Sequence, residues 1–265
     1  MKALANGYLK RSHVSRDAIS DRLVDVWIPV GDPPPSGFPL LIVQDGQNLF
    51  VDGAGGSQIS WRLADTISRL AELGRIDPPI VMGIWNTENR WSEYCPPLVM
   101  EMRDPSGDPI PSRPSGDSYA SFLMNDLVPT LTKGLATNPQ RRFAMGSSMG
   151  GLISLYALCE YPELLGGAAS LSTHWPIVAE AIVPYLEMHL PAPGQHRVYF
   201  DRGTIGLDAS YQETQELVDR TFVSEGWRPG IDWISKTFPN ADHNETAWAK
   251  RIESPLEFLL GRAPS

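Results

Sequence analysis

The chain has 265 residues, 42% of them hydrophobic and 20% charged, with 23 Gly and 24 Pro, proportions that exclude disorder, collagen and coiled coil. Its 22 Lys and Arg against 31 Asp and Glu give a formal charge of −9, a field that repels phosphate backbones and anionic lipid surfaces and argues against nucleic-acid or membrane partners. No run of Ser, Gly or charge is long enough for an interdomain linker, so the expectation is one domain over residues 1–265.

Met1 to Arg16 mixes Lys2, Lys10, Arg11 and Arg16 with no apolar stretch of secretory length. No later segment reaches the roughly eighteen apolar residues of a membrane span, and the protein is expected to be cytoplasmic. The first expected strand, Leu23–Pro29, alternates Val24, Val26 and Ile28 with Leu23, Asp25 and Trp27 and reads as half-exposed, pairing antiparallel at a sheet edge. A turn over Asp32–Gly37 leads to a strand at Phe38–Gln44, a helix at Trp61–Leu73 and a strand at Pro79–Trp85. Cys95–Gly116, with six prolines, has the weakest structural signal and is long enough to be a lid or pocket wall. Beyond it, helix-like spacing over Ser118–Leu135, Gly150–Tyr161, Val178–Leu190, Tyr211–Glu225 and Glu245–Leu260 alternates with strands at Arg142–Met145, Gly167–Ser172, Val198–Asp201 and Trp233–Phe238. Runs such as Leu40-Leu41-Ile42-Val43 fit strands buried on both faces. The order predicts a three-layer α/β/α sandwich on a mostly parallel sheet. Cys95 and Cys159 lack metal-ligand spacing and are expected as reduced thiols, Cys159 within a packed core.

Gly146-Ser147-Ser148-Met149-Gly150 matches G-x-S-x-G, the sharp strand-to-helix turn that lifts a serine hydroxyl above a sheet. The pentapeptide alone is weak, but a buried strand precedes it and Leu152, Leu155, Tyr156 and Leu158 follow at helical spacing. Ser148 is therefore the expected nucleophile; a serine that only caps a helix is the alternative. A serine hydroxyl needs a base. His13, His189 and His196 fall in segments that read as exposed, whereas His243 lies between a strand end and the terminal helix, where the chain order nucleophile, acid, histidine places the base. Capping that helix is its competing role. His174, after the strand that follows the nucleophile helix, reads as a pocket residue. For the acid, Asp201, Asp208 and Asp219 are available; Asp208, in the loop past Val198–Phe200, is preferred over Asp201 at a strand end and Asp219 inside a helix. The oxyanion that forms on attack needs preorganised N–H donors. Met149, directly after the serine, and Gln47, in the exit turn Gln44-Asp45-Gly46-Gln47-Asn48, are placed to supply them. A plain strand-exit turn would also explain Asp45-Gly46.

Several separated blocks resemble one known group: Asp45-Gly46-Gln47-Asn48-Leu49-Phe50, Ile84-Trp85-Asn86-Thr87 with Arg90 and Glu93-Tyr94, Gly146–Gly151, Gly203-Thr204, and His243-Asn244-Glu245 with Trp248. Together they are similar to the putative-esterase family of α/β-hydrolases, the relatives of enterochelin, feruloyl and acetyl xylan esterases and of S-formylglutathione hydrolases. The resemblance spans about residues 23–260. It implies a hydrolase of carboxylic esters without metal or organic cofactor, and it supports the Gln47 amide as first oxyanion donor. It gives the reaction class and not the substrate; the expected function is a serine esterase acting through an acyl-enzyme on a small, carbohydrate or aryl carboxylic ester. Many members carry the acid two residues beyond the Gly-Thr pair, where Gly206 stands here, so a Ser148–His243 dyad is the alternative to a triad with Asp208. Trp85, Arg90, Trp91, His174 and Trp175 are expected to contact substrate, with core or rim packing as the other role of the tryptophans. An acyltransferase with the same triad, and a non-catalytic binding module on a hydrolase scaffold, are the competing functions. The sequence is compatible with a homo-oligomer.

Overall fold

The protein is described by a computed structural model covering residues 1–16, 19–55, 58–100, 102–103, 107, 109–110 and 112–261. Strands β1 (Lys2–Ala3), β2 (Gly7–Arg16), β3 (Ile19–Pro29), β4 (Phe38–Gln44), β5 (Ile80–Ile84), β8 (Thr137–Ser147), β9 (Gly167–Leu171), β10 (Arg197–Arg202) and β11 (Trp233–Thr237) form one sheet; β6 (Met102–Arg103) and β7 (Pro109–Ile110) pair separately. The sheet order is β1-β2-β3-β5-β4-β8-β9-β10-β11. From β5 to β11 all neighbours are parallel, while β1, β2 and β3 join antiparallel.

Successive residues of the parallel strands enter different cores. Leu40, Ile42, Ala144, Ala168 and Phe200 pack on one face with α3 (Gly116–Ser121), α4 (Val128–Thr132), α5 (Met149–Glu160), α6 (Ile182–His189) and α7 (Gln212–Ser224). Leu41, Val43, Phe143, Met145, Ala169 and Tyr199 pack on the other with α1 (Leu63–Glu72), α8 (Glu245–Arg251) and α9 (Glu253–Leu260). A short helix, α2 (Arg90–Glu93), follows β5. Strands covered on both faces must be apolar at nearly every position, which is why Leu40–Val43 and Ile80–Ile84 read as continuous runs. The architecture is the expected three-layer sandwich.

Three expectations are corrected. The strand around 23–29 is neither half-exposed nor at the edge: β3 lies between β2 and β5, and Val24, Asp25, Val26 and Trp27 are all buried. The outer strands β1 and β2 escaped notice because Tyr8, Lys10 and Arg11 face solvent and leave too weak an apolar alternation. The helix expected at 245–260 is interrupted at Ile252, whereas those expected at 118–135 and 178–190 run on without a gap but change pitch, each near a proline. Val128 N–H donates five residues back to Leu123, a π-turn over Phe122–Leu127 just before Pro129. Pro184 and Pro255 lie in the first turns of α6 and α9, where a missing N–H donor costs nothing. The 95–116 loop carries the β6–β7 pair; 101, 104–106, 108 and 111 lie outside the described residues. Both cysteines are free and buried, and burial pushes the Cys95 thiol up to about 12. Among the described residues, no helix is long and apolar enough to cross a membrane.

Candidate active site

Strand β8 delivers Ser147 to the carboxyl edge of the sheet, and Ser148 follows with φ 56° and ψ −125° before α5 begins at Met149. A non-glycine residue in that region carries strain of about 1–3 kcal/mol, held here by its surroundings. The Ser148 N–H donates to Leu171 O at 2.8 Å, and its carbonyl accepts from Gly151, Leu152 and His174. Gly146 and Gly150 make the turn sterically feasible: a Cβ on Gly146 would overlap the Gly150 carbonyl, and one on Gly150 would press on Gln44 Cβ at 3.0 Å. The Ser148 side chain does not cap α5. Its hydroxyl is half-buried and hydrogen-bonds to no described residue, His243 included; such bonds commonly tighten only when substrate arrives.

His243 is held from three sides. Its Nδ1 lies 2.6 Å from Asp208 Oδ1, while the edges of Tyr211 and Trp248 meet the ring at centroid distances of 5.6 and 5.1 Å. The capping role belongs to its neighbour Asn244, whose side chain accepts from Ala247 N–H at 3.0 Å. Asp208 is buried, and its Oδ2 accepts from Ser172 Oγ at 2.6 Å and Gly203 N–H at 2.5 Å. Burial alone would raise its carboxyl; hydrogen bonds from His243, Ser172 and Gly203 outweigh that and hold it below the usual range. Ser172, at φ 43°, also accepts from Trp248 Nε1 at 3.0 Å and Arg251 Nη2 at 2.6 Å. Asp201 is spent elsewhere, on Arg251 at 2.9 Å and Tyr199 at 2.9 Å, and Asp219 accepts from Gln215 on α7.

Gly206 explains how the acid reaches the imidazole from position 208. It has φ 60° and leaves no room for a Cβ against Asp242, so the 3₁₀ turn Gly206–Tyr211 carries Asp208 back over Gly203. Thr204 and Ile205 N–H both donate to Ala241 O, which fastens the acid loop to the histidine loop.

Across the edge, Asp45 lies at φ 56° and starts the 3₁₀ turn Gly46–Asn48. Arg90 grips it through Nε and Nη2, both at 2.8 Å, and Asn86 Nδ2 adds a bond at 2.6 Å. Burial opposes the Arg90 charge, but Asp45 outweighs it and raises the guanidinium above its ordinary value. The turn's hydrogen bonds run from Asn48 to Asp45 and from Leu49 to Gly46, leaving the Gln47 N–H without a main-chain partner among the described residues. Met149, the first residue of α5, has no acceptor one turn back. Gln47 Oε1 meanwhile accepts from Asn86 N–H at 3.1 Å.

The expected substrate contacts divide. His174 is buried between Trp91 and Tyr211, at centroid distances of 5.8 Å to each, and beside the Ser148 carbonyl. Trp175 points the other way: it packs on Phe200 in the core and bonds to Gln215, so it is a core residue. Trp85 donates to Asp25 under the Arg11 guanidinium and lines a separate cavity of about 480 Å³ with His13, Asn86 and Thr87. Arg90 serves Asp45. His13, His189 and His196 pair with Asp21, Glu160 and Pro162 O, away from this cluster. Sequence reasoning missed Ser172, Tyr211 and Arg251, whose types carry no motif. Among the described residues no group of three or more His, Cys, Asp or Glu could hold a metal ion.

A model of the family described as Putative esterase matches residues 18–259. The uncharacterized protein YbbA of Bacillus subtilis is 26% identical over 240 residues, 85% of this chain and 87% of its own length. Ferri-bacillibactin esterase BesA of the same organism is 24% identical over 157 residues, 56% of this chain and 52% of its own. Among solved structures, the BES protein from Bacillus cereus superimposes with a TM-score of 0.77 at 15% identity, covering 99% of this chain and 97% of that one. The enterobactin and salmochelin hydrolase IroE does so at 0.73 and 16%, covering 98% of each.

Proposed function

The chain belongs to the Putative esterase family, and from that membership we propose that it is a serine esterase working through an acyl-enzyme on Ser148. The observation that carries this reading is the 2.6 Å bond between His243 and a buried Asp208, on the sheet edge where Ser148 stands strained, its hydroxyl hydrogen-bonded to no described residue. In this reading Asp208 accepts from His243 Nδ1–H, which leaves Nε2 as the lone-pair nitrogen. As Ser148 Oγ attacks the ester carbonyl, Nε2 takes its proton, and the imidazolium is stabilised by the Asp208 charge. The Gln47 and Met149 amides donate to the oxyanion, each contributing about 3 kcal/mol. Collapse expels the alcohol, which receives the proton from Nε2. Water then attacks the acyl-enzyme, with His243 again as base, and releases the acid and free Ser148.

The named relatives support an ester substrate: one is named as an esterase of ferri-bacillibactin and the other as a hydrolase of enterobactin and salmochelin. For this chain the proposal is a small, aryl or carbohydrate carboxylic ester, bound beside Trp91 and His174. A fluorophosphonate probe tests the nucleophile. It labels the wild-type protein and does not label Ser148→Ala, and that variant loses on the order of 10⁶ in kcat on whichever of p-nitrophenyl, feruloyl or acetylated-sugar esters is turned over. Undiminished labelling or turnover by Ser148→Ala overturns the reading. Ester products formed with added alcohol would assign the acyltransferase alternative.

A further inference from the structure

His174 is a second imidazole beside Ser148 that the acyl-transfer steps do not use. Its main-chain N–H donates to Ser148 O at 3.2 Å, and its ring Nδ1 lies 2.6 Å from the Tyr211 hydroxyl. Tyr211 is buried; burial, with Asp208 adding to it, pushes its hydroxyl up, so the phenol keeps its proton. That proton has no other acceptor among the described residues. Were Nδ1 protonated, the phenol hydrogen would be stranded in the interior at a cost of about 1–3 kcal/mol. Tyr211 therefore donates to Nδ1, and the single proton of the neutral ring sits on Nε2. Burial, with the charges of His243 and Arg90 adding to it, lowers the His174 pKa to about 4, so the ring is neutral at pH 7. Among the described residues Nε2 has no hydrogen-bond partner, yet it is not one of the enclosed atoms that lack one. The buried ring thus carries one N–H of fixed position, on Nε2, beside Trp91 and the serine.

We propose that His174 is a specificity-determining residue whose Nε2–H binds a neutral acceptor oxygen of the ester, an ether, hydroxyl or second carbonyl outside the scissile group. A neutral donor cannot compensate a desolvated carboxylate, and the Arg90 fork is already closed on Asp45. The inference rests on the Ser148 esterase reading.

Two matched ester pairs test it: p-nitrophenyl methoxyacetate against butyrate, and 2-methoxyethyl acetate against butyl acetate. Each differs by one ether oxygen, in the acyl part or in the alcohol part. For one pair the wild-type ratio of kcat/KM exceeds that of His174→Phe by about tenfold, mostly through KM, as expected for one neutral hydrogen bond. His174→Gln, which keeps an N–H, retains part of the preference. Should His174→Phe fail to fold, Tyr211→Phe leaves the imidazole in place but frees its tautomer, and the ratio drops severalfold. Nitrogen-15 NMR of histidine-labelled protein gives a readout without substrate: His174 carries its proton on Nε2 at pH 7. Equal ratios in wild type and variants for both pairs, or a proton on Nδ1, overturn the proposal. Turnover of all four esters with unchanged ratios would remove the His174 role alone, whereas no turnover together with no fluorophosphonate labelling would remove the esterase reading as well.

Discussion

Two buried carboxylates stand at the carboxyl edge of the sheet, each just past a strand, and they are wired differently. Asp45, after β4, has both oxygens gripped by the Arg90 fork and one shared with Asn86. Its charge is balanced permanently, and its task is geometric: it fixes the left-handed residue from which the Gln47 turn departs. Asp208, after β10, is held by a hydroxyl and an amide on one oxygen and by an imidazole on the other. The cation that hydrogen-bonds to it is His243, when that ring is protonated. The nearby guanidinium of Arg251 is bound to Asp201 at 2.9 Å and stays 3.8 Å from Asp208. The partner decides the role: a permanent cation makes a carboxylate into scaffold, and a titratable one leaves it available to chemistry.

The largest expected effect breaks the symmetry between the two. Asp208→Asn keeps the side-chain shape but loses the acceptor that fixes the His243 tautomer, and kcat falls about 10⁴-fold, measured on the best ester of the panel, with a smaller loss of stability than the matching change at Asp45. Asp45→Asn should do the reverse. It strips a mostly buried Arg90 of its counter-charge at a cost of about 3 kcal/mol, read from urea unfolding, while Ser148, His243 and Asp208 stay in place. If Asp45→Asn proves the worse for kcat and Asp208→Asn the worse for stability, the division of roles fails.

A smaller effect sharpens the comparison, because His174 lies between the clusters and feels both His243 and Arg90. Its folded pKa, lowered to about 4 chiefly by burial, lies below the unfolded value of about 6.5. The folded protein therefore binds fewer protons across that interval, and stability is full above about pH 6.5 and declines as pH falls toward 4, by at most about 3 kcal/mol. Asp208, also held low, adds loss in the same direction at still lower pH. Denaturant midpoints measured from pH 7.5 to 4 should fall less steeply for His174→Gln than for wild type. Identical slopes would mean that His174 is not held neutral.

Much of the scaffold was legible because it is written locally. Continuous apolar runs mark doubly covered strands, and Gly146–Gly150 encodes a turn whose close approach only glycine permits. The N-terminal hairpin was not legible, since half its side chains face water and its partners lie elsewhere in the chain. Trp85, Trp91 and Trp175 read alike in the sequence, yet one lines a side cavity, one meets His174 and one fills the core. Facing is set by sheet register and helix rotation, and neither is a property of residue type.

By itself, then, the sequence determined the layer order, the elbow carrying Ser148 and a short set of acids and bases, because strand burial and turn sterics act over a few neighbouring residues. Only the tertiary structure decided which carboxylate His243 meets, that Ser172 and Arg251 brace it, and that Tyr211 sets the proton on His174. Those contacts join residues 35 to 79 positions apart. Hydrogen bonds hold only within about 3 Å, a condition that the packing of the whole sheet satisfies and no local pattern can encode.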